Sequence, residues 1–438
     1  MIRSHSALEI VALALAAAAC SGPPPRPPGG ALAFPTGLGV TADRGAILVV
    51  TSNFDRTFDN GEVLRVPASL FGPAATDVVL DPSALTGRVQ IGSFGGNLAT
   101  SLDGKRAYVS SREDAALAVI DLTTAGLVCL DGTGDCRASA VPVPLGDPLG
   151  VSVVRTRLPG DSAPGELVLV AQSSPTFLGT DSNGAVIQSA SIAAIGPAGS
   201  TVAAGTPAGT VRYVAPIGTV GSGPPLFDEA RGVAYVPGCY TRVSATLVRR
   251  CDGSNNAGTN LLRVLDPSAG AAGYVGSVDL FNLLRGTEVA AVALSSDGAT
   301  LYAATRSPNA LVELQLPLPL SGTPSVRRVT DLPADPSALL VLPRAGQPDL
   351  VAVSAVGQAT VSIFDGRSGT VAATVERVGE QPDAMVRLDA PGGAGPARLV
   401  VAAFSDCALT EVDVPLDAPW KASRGVRLVS GHVGACGL

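Results

Sequence analysis

The amino-acid sequence predicts an all-β protein built from repeated units of three or four short strands, and three observations support this prediction. First, SLDGKRAYVSSREDAALAVIDL (101–122) and SSDGATLYAATRSPNALVELQL (295–316) are identical at eight of 22 positions without a gap. Second, 51 glycines and 35 prolines make up almost a fifth of the 438 residues, which favours turns over long helices. Third, apolar strands regularly interrupt these turn residues, which is typical of a globular chain.

Each copy of the repeat has the same order of elements. A Ser/Asp-Gly turn leads to an alternating strand that contains Tyr, and a polar turn then leads to a second alternating strand, as in RAYVSS before LAVIDL and TLYAAT before LVELQL. Looser copies occur at five further places: AILVVTSNFD before GEVLRVP (46–67), ELVLVAQSS before AVIQSASI (166–192), GVAYVPG before NLLRVLD (232–266), DLVAVSAVGQATVSIFD (349–365) and RLVVAAFSDCALTEVDVP (398–415).

A short apolar strand precedes each copy, and some copies also have a trailing strand. The preceding strands are PTGLGVT, GGNLATS, GDPLGVSVV, EVAAVALS, ADPSALLVL, QPDAMVRL and, for the copy at 232, PLFDEA; the trailing strands include GTVAATVE (369–376) and GVRLVSG (425–431). Such a unit cannot bury its faces alone, so neighbouring units must stack. Four-stranded units arranged radially form a β-propeller. We therefore predict one β-propeller over residues 34–438, with seven blades of mostly four-stranded antiparallel sheets.

The repeat resembles that of a known family. A DG turn, a YV strand and a V-x-V-x-D strand followed by T/S-G are similar to the YVTN/YncE-like seven-bladed β-propellers. Residues 101–122, 295–316 and 361–371 (VSIFDGRSGTV) carry the resemblance best, and it extends over most of residues 34–431. The resemblance implies the fold and leaves the function open, because one fold hosts many functions.

The N-terminus predicts export and a lipid anchor. Residues 1–19 have a positive charge at Arg3 and an apolar run, Ile10 to Ala19, that is too short to span a bilayer and fits a signal peptide. Small residues then precede Cys20, which resembles the lipidation site of bacterial lipoproteins; the alternative is an ordinary secretory peptide that leaves Cys20 as a free thiol. Residues 20–33 include GPPPRPPGG and read as an extended tether. Ser21, and not Asp, follows the cysteine, and by resemblance to enterobacterial lipoprotein sorting this implies the outer membrane, facing the periplasm or the cell surface.

The other six cysteines predict disulfides. They fall into local pairs, Cys129 with Cys136, Cys239 with Cys251 and Cys407 with Cys436, and an exported chain with an even number of cysteines favours bridges. The alternative, a zinc site, needs closer cysteine spacing and usually histidine. The longest gaps between repeats carry the first two pairs, so we expect these pairs on insertions.

The composition excludes several functions. With a net charge of −7, two lysines and no basic run longer than two residues, the chain lacks the clustered positive surface that nucleic-acid binding requires. His5 leaves with the signal peptide, which makes His432 the remaining histidine, and we interpret it as an ordinary surface residue. No nucleophile elbow, P-loop or dinucleotide fingerprint is present. The sequence therefore predicts no catalytic residue.

Ligand and metal sites have weaker signals. Three loops place oxygen ligands on turns, as calcium prefers, although the same residues are standard turn formers; the residues are Asp55, Asp59, Asn60, Glu62, Asp131, Asp135, Asp252, Asn255 and Asn256. No cofactor is predicted, and calcium bound by these loops is the alternative. A propeller's central channel is its default ligand site, and seven residues at predicted blade entrances are candidates to line it: Asp228, Glu229, Arg231, Glu288, Asp335, Gln381 and Asp383.

These features favour a lipid-anchored cell-envelope propeller that acts as a non-catalytic scaffold for a protein or polymer partner. It would touch the membrane through its lipid anchor alone and would not bind nucleic acid. The alternative is a propeller enzyme, either a lactonase-like hydrolase or a quinoprotein-like oxidoreductase, and a hydrolase of this kind could depend on calcium.

Overall fold

The structure, a computed structural model, is a seven-bladed β-propeller of small antiparallel sheets, as the repeat predicts. It describes residues 26–28, 31–144, 146–172, 176–180, 186–189, 191–196, 209–217, 223–241, 258–280, 288–306, 308–319, 324–390 and 395–431. Within this part of the chain the helical segments are short 3₁₀ turns: Ala68–Leu70, Pro82–Ala84, Cys136–Ser139, Pro267–Ala272, Val356–Gln358 and Pro419–Lys421.

The first three blades follow the chain in order. Blade 1 contains β1 (Pro35–Val40), β2 (Ala46–Thr51), β3 (Gly61–Pro67) and β5 (Gly87–Ile91), while β4 (Asp77–Val79) lies in the connection between β3 and β5. Blade 2 contains β6 (Gly95–Thr100), β7 (Arg106–Ser111), β8 (Ala116–Thr123), β9 (Gly126–Cys129) and β10 (Val141–Pro142). Blade 3 contains β11 (Pro148–Thr156), β12 (Gly165–Gln172), β15 (Ser191–Ile195) and β16 (Val211–Pro216), and a separate hairpin pairs β13 (Thr176–Thr180) with β14 (Val186–Ser189).

The remaining four blades complete the ring. Blade 4 contains β17 (Leu226–Asp228), β18 (Val233–Val236), β19 (Cys239–Thr241), β20 (Gly258–Leu265) and β21 (Tyr274–Asp279). Blade 5 contains β22 (Glu288–Leu294), β23 (Thr300–Arg306), β24 (Ala310–Gln315) and β25 (Val326–Asp331). Blade 6 contains β26 (Pro336–Arg344), β27 (Gln347–Ala355), β28 (Thr360–Asp365) and β29 (Thr370–Val375), and blade 7 contains β30 (Pro382–Arg387), β31 (Ala397–Ala403), β32 (Ala408–Val414) and β33 (Ser423–Val429).

The first strand of each blade lies innermost. Contacts run around a closed ring from β1 to β6, β11, β17, β22, β26 and β30, and from β30 back to β1. The short apolar strands that precede each copy of the repeat are therefore the walls of the central channel. Buried side chains of neighbouring sheets pack together, so each hydrophobic core lies between two blades, as in the cluster that includes Val50, Val63, Leu98 and Val109.

The repeated Ser-x-Asp-Gly sequence is a turn between the first and second strands. In blade 2 the Ser101 hydroxyl donates to Asp103 at 2.6 Å and accepts the Arg106 N–H at 2.9 Å; in blade 5 Ser295, Asp297 and Thr300 form the same two bonds at 2.5 and 2.9 Å. The backbone of Gly104 and Gly298 is left-handed, with φ of 68° and 65°. The two copies of the repeat therefore encode the same turn.

A strand from blade 1 closes the ring. β4 pairs in parallel with β33, so blade 7 has five strands, and the Leu80 N–H donates to the Val429 carbonyl at 2.9 Å. Leu80 and Leu428 share a buried core with Leu32. The segment Ala31 to Ala33, at the end of the predicted tether, is thus buried between the first and last blades.

One predicted strand pair differs from the structure. The repeat suggested that AVIQSASI (185–192) follows ELVLVAQ as its partner strand, but β12 pairs with Ser191–Ile195 instead. Residues Val186–Ser189 belong to the inserted hairpin with Thr176–Thr180. The continuous run of apolar and small residues hid the boundary between the insertion and the blade.

Candidate functional site

Two sets of connections meet on one face of the propeller, which we call the upper face. They are the connections that enter the first strand of each blade and those that join its second and third strands. They lie together because the first two strands are antiparallel, so Pro35 pairs with Thr51 and Pro382 pairs with Ala403. The Ser-x-Asp-Gly turns and the connections between third and fourth strands lie on the opposite, lower face.

In the part of the chain that the structure describes, a left-handed residue introduces the first strand of five blades. Its φ lies between 51° and 55° at Phe34, Phe94, Asp147, Asp335 and Gln381. This conformation costs about 1–2 kcal/mol for a residue with a Cβ. A recurring hydrogen bond holds it, since the residue just after the second strand donates its N–H to the left-handed residue's carbonyl; the distance is 3.1 Å from Ser52 to Phe34 and 3.0 Å from Phe404 to Gln381.

Bulges at the start of the first strands shape the mouth of the channel. The register with the second strand shifts there in six of the seven blades, which turns an extra residue out of the ladder. Such extra residues line a cavity of about 540 Å³ at the upper mouth: Thr36, Asn97, Leu149, Ala290 and Asp383.

Glycines allow the first strands of blades 1 to 4 to approach closely beside this cavity. A Cβ on Gly37 would lie 2.7 Å from the carbonyl oxygen of Gly96, and one on Gly150 would lie 2.4 Å from that of Gly223. Both distances are shorter than real Cβ contacts, so only glycine fits. The glycines in PTGLGVT, GGNLATS and GDPLGVSVV thus keep this side of the channel narrow.

Four phenylalanines form one aromatic cluster at the mouth, which we call the phenylalanine patch: Phe34, Phe54, Phe94 and Phe404. The Phe54 ring centroid lies 5.5 Å from that of Phe94 and 5.4 Å from that of Phe404, and Phe34 lies 5.0 Å from Phe404. Phe54 is 51% exposed although it packs against three other rings. The patch contains four of the ten phenylalanines in a chain that is 4% aromatic, and its position joins blades 7, 1 and 2 on the upper face.

Charged side chains lie inside the same cavity. Arg306 is 3.1 Å from Glu288 and also donates to the Pro336 carbonyl at 3.0 Å, while Arg112 is paired with Asp147. Asp383 differs, because within the described part of the chain no hydrogen bond or ion pair reaches its carboxylate.

The environment of Asp383 disfavours its charge. Its side chain is open to water in the channel, but protein surrounds the channel, and the resulting loss of hydration raises the pKa of Asp383 to about 6 against the opposing effect of Arg306. Asp383 is therefore a carboxylate that carries its charge at neutral pH at an energetic cost.

The structure brings together two of the seven channel residues that the sequence predicted. Glu288 and Asp383 line the cavity, and Asp335 and Gln381 occupy left-handed positions at the entrances of blades 6 and 7. The prediction was wrong for Asp228, Glu229 and Arg231, which lie in or beside the β17–β18 turn on the lower face. There Asp228 pairs with Arg231 at 2.7 Å. Asp228 is the last residue of β17, so these charges lie at the end of the first strand of blade 4 and not at its entrance, which places them away from the mouth.

The phenylalanine patch and the two cavity arginines, Arg112 and Arg306, were not predicted from the sequence. A signal was present, because Phe34 precedes Pro35 just as Phe94 precedes Gly95, at equivalent positions of adjacent blades. Phe54 and Phe404 likewise follow the second strands of blades 1 and 7. Aromatic residues this rare are conspicuous once the repeats are aligned on their first strands.

The acidic loops serve mainly as turns. Asp131 accepts the Thr133 N–H at 3.0 Å, Asp55 accepts the Thr57 N–H at 3.0 Å, and Asp135 is paired with Arg137 at 2.6 Å. In the described residues, no three His, Cys, Asp or Glu side chains are placed to hold a metal ion. The loop with Asp252, Asn255 and Asn256 lies outside the described residues.

Glu62 and Asp135 border a second cavity of about 360 Å³ between the outer parts of blades 1 and 2. Burial raises the pKa of Glu62 to about 7, against the opposing charge of Arg88, which lies 3.8 Å away. The nearby negative charge of Asp59 also raises the pKa of Glu62. The Asn60 amide donates to the Gly61 carbonyl at 2.7 Å.

One predicted disulfide is present in the described part of the chain. Cys129 and Cys136 are bonded, with Cα atoms 5.0 Å apart, and close the loop that packs on blade 1 through Gln90 and Asp135. Cys407 is also in a disulfide. Cys20, Cys251, His432 and Cys436 lie outside the described residues, as does the side chain of Cys239.

The fold and this site define the protein as a seven-bladed β-propeller with a ligand-sized cavity at one mouth of its channel. The described residues include no helix that is both long and apolar enough to cross a membrane. No family model matches the chain, and no curated protein sequence matches it either.

Solved structures share the fold at low sequence identity. Hydrazine synthase of Kuenenia stuttgartiensis has a TM-score of 0.58 and 13% identity, covering 88% of this chain and 97% of that chain. The β-propeller domain of Cps50 (Swd1) from Myceliophteria thermophila has a TM-score of 0.50 and 10% identity, covering 91% and 97%. A functionally unknown protein from Desulfotomaculum acetoxidans has a TM-score of 0.50 and 12% identity, covering 84% and 96%. At these identities the likeness concerns the fold alone.

Proposed function

We propose that this protein is a non-catalytic binding propeller of the cell envelope, of the YVTN/YncE-like type, and that its upper face docks a protein partner over the mouth of the channel. The observation that carries the proposal is the phenylalanine patch. Exposed apolar patches mark interaction sites, and aromatic side chains including phenylalanine are enriched in the cores of protein interfaces. Phe54, half exposed at the centre of the patch, is the anchor of this surface.

A protein fits this surface better than a polysaccharide does. A sugar ring can stack on an aromatic face, but the hydroxyl groups of a polysaccharide also need many hydrogen-bond partners, and phenylalanine rings offer none. A protein segment with apolar and charged side chains matches both the patch and the cavity lined by Arg112, Arg306 and Asp383. If crosslinking in intact cells recovers a polysaccharide and no protein, the partner is a polysaccharide.

The experiment is crosslinking in intact cells that produce the full chain, followed by purification and mass spectrometry. We expect one protein to be recovered in near-equal amount with the wild type and to be lost with Phe54→Ser. Trp420→Ser is the matched control, because Trp420 is 65% exposed but lies between β32 and β33 on the lower face. Equal recovery with Phe54→Ser and the wild type would exclude the patch as the docking surface.

The envelope location rests on the N-terminal sequence. We propose that Cys20 is lipidated and that the residues after it tether the propeller to the outer membrane. Cells fed an alkyne-labelled fatty acid should label the wild-type chain, while Cys20→Ser should remain unlabelled and leave the membrane fraction. Label on the Cys20→Ser variant, or a soluble wild-type chain, would contradict the anchor without affecting the proposed docking surface.

A hydrolase is the second candidate, and Asp383 is the observation that favours it. A carboxyl group with a pKa of about 6 in a cavity is suited to accept a proton near neutral pH. In that case the full chain would hydrolyse simple lactones and Asp383→Asn would lose the activity, while the crosslinking experiment would recover no specific partner. Turnover that survives Asp383→Asn would exclude this role for Asp383.

A further inference from the structure

The charges in the channel-mouth cavity are not equally satisfied. Both arginines of the lining already face a carboxylate, since Arg306 is 3.1 Å from Glu288 and Arg112 is paired with Asp147. Asp383 lines the same cavity without a hydrogen bond or ion pair in the described part of the chain. A carboxylate in a confined site needs a partner of opposite charge to offset its lost hydration. The cavity therefore has room and charge for one cation.

The phenylalanine patch shows which kind of cation suits this mouth. The guanidinium of Arg56 lies 4.9 Å from the centre of the Phe94 ring, so a guanidinium is already held on the patch from the outside. Phe54 and Phe404 border the cavity itself, with their rings 5.4 Å apart and at a steep angle. A planar cation on a long apolar stem can contact such rings and still reach a carboxylate.

We infer that the channel mouth receives an arginine side chain of the docked partner, whose guanidinium pairs with Asp383 and whose stem packs against Phe54 and Phe404. This inference rests on the proposed docking function and names its recognition chemistry. An anion would meet the unpaired Asp383, and a divalent metal would find no group of three acidic, histidine or cysteine ligands among the described residues. An arginine side chain satisfies both the open charge of Asp383 and the apolar rim.

The probe is acetyl-arginine methylamide, titrated calorimetrically into the full chain at neutral pH, with the citrulline analogue as an uncharged probe of the same shape. We expect the arginine probe to bind and the citrulline probe to bind at least about tenfold more weakly. Asp383→Asn should bind the arginine probe at least about tenfold more weakly than the wild type does. Asp335→Asn should not change it, because Asp335 lies at the entrance of blade 6 and outside the cavity lining.

The affinity should also depend on pH. The wild type should bind the arginine probe more weakly at pH 5 than at pH 7.5, because Asp383 gains a proton, and Asp383→Asn should not show this loss. Glu288, Asp147, Arg112 and Arg306 also face or border the cavity, so the variant isolates the contribution of Asp383. A wild-type affinity that is equal at both pH values, or a pH effect that survives in Asp383→Asn, would contradict the inference.

The outcomes separate this inference from the docking function. If Asp383→Asn binds the arginine probe as the wild type does, or if citrulline binds equally well, the inference is wrong. The proposed function still stands in that case if the crosslinked partner is lost with Phe54→Ser. If a lysine probe binds more tightly than the arginine probe, the guanidinium is not the group that is recognised. Circular dichroism of each variant confirms that the propeller remains folded.

Discussion

At the scale of single residues, Asp383 combines an unusual position with an unusual charge state. It is the extra residue of the bulge at the start of β30, and the bulge turns it into the channel. Its pKa rises from an ordinary value of 3.8 to about 6, mainly because the surrounding protein removes hydration. The ionised form is therefore less favourable in the folded chain than in the unfolded chain. Such a cost is common where a residue is retained for binding and not for stability.

Replacing Asp383 should therefore stabilise the protein at neutral pH. The penalty from the ionised carboxylate develops as the pH rises from 3.8 to about 6 and persists above that value. We expect Asp383→Asn to have a higher melting temperature than the wild type at pH 7.5, and the difference to shrink at pH 4.5. Melting curves of both proteins at the two pH values measure this, with Asp335→Asn as the control. A variant that is less stable than the wild type at pH 7.5 would show that the carboxylate makes a stabilising contact.

The sequence predicted two acidic residues of the cavity lining correctly and misplaced other charged candidates. Glu288 and Asp383 were predictable because each stands at the start of an apolar strand that opens a repeat. Asp228 was not, because β17 is three residues long and its turn follows at once. Among the described residues Asp383 lacks a partner, because Arg306 is committed to Glu288 and the Pro336 carbonyl. Such commitments between blades follow from the closed ring and have no local sequence signal.

At the scale of single elements, the Ser-x-Asp-Gly turn shows which residues of the repeat specify its structure. Blade 1 builds the same turn from different residues, since the Thr41 hydroxyl donates to Asp43 at 2.6 Å and Arg44 takes the left-handed position with φ of 55°. Hydrogen bonds from the hydroxyl group lower the pKa of Asp43, as Ser101 does for Asp103. The hydroxyl–carboxylate pair is thus common to all three turns. Glycine is preferred at the left-handed position, but Arg44 shows that a residue with a Cβ can occupy this position at a cost in backbone strain.

Two glycine substitutions should separate backbone strain from steric overlap. Gly298→Ala should destabilise the protein by about 1 kcal/mol, because φ is 65° and the nearest atom to an added Cβ is the end of the Arg231 side chain at 3.9 Å. Gly104→Ala should cost more, because its Cβ would lie 2.5 Å from the Cβ of Ala42 in the neighbouring blade. Urea unfolding of both variants measures the two costs. Equal costs would mean that blades 1 and 2 separate freely at this turn.

The elements that the sequence did not predict are those without a repeated pattern. β4 consists of three exposed residues, two of them valines, so it lacks the alternation that identifies the blade strands. Its partner β33 is about 350 positions away in sequence, and the pairing is parallel. The hairpin Thr176–Thr180 with Val186–Ser189 interrupts a blade in the same way. Insertions of this kind follow from tertiary contacts and not from the repeat.

At the scale of the whole molecule, each blade buries its faces against its neighbours, so closing the ring covers the faces of the first and last blades. The other interfaces join blades that are consecutive in the chain, whereas the interface of blade 7 with blade 1 joins its two ends. There the insertion of blade 1 is tied to β33 by Asp77, which is 3.1 Å from Arg424 and 3.2 Å from Arg427. The exposed ion pairs contribute little. The buried contacts of Leu80 with the shared core therefore hold this insertion to blade 7 more strongly than its ion pairs do.

Leu80→Ala should consequently open the ring at this one interface. Removing a buried leucine side chain costs about 2–5 kcal/mol, and here the lost contacts hold β33 to the insertion of blade 1. Hydrogen exchange should therefore rise selectively in Ser423–Val429, because local opening follows the weakest cooperative unit. Leu342→Ala is the matched control, since Leu342 is equally buried but belongs to the core between blades 6 and 7. It should lower stability by a similar amount, with the loss of protection centred on β26 to β31. If the protection of Ser423–Val429 is unchanged in Leu80→Ala, the contacts of β1 with β30 close the ring, and the pairing of β4 with β33 does not.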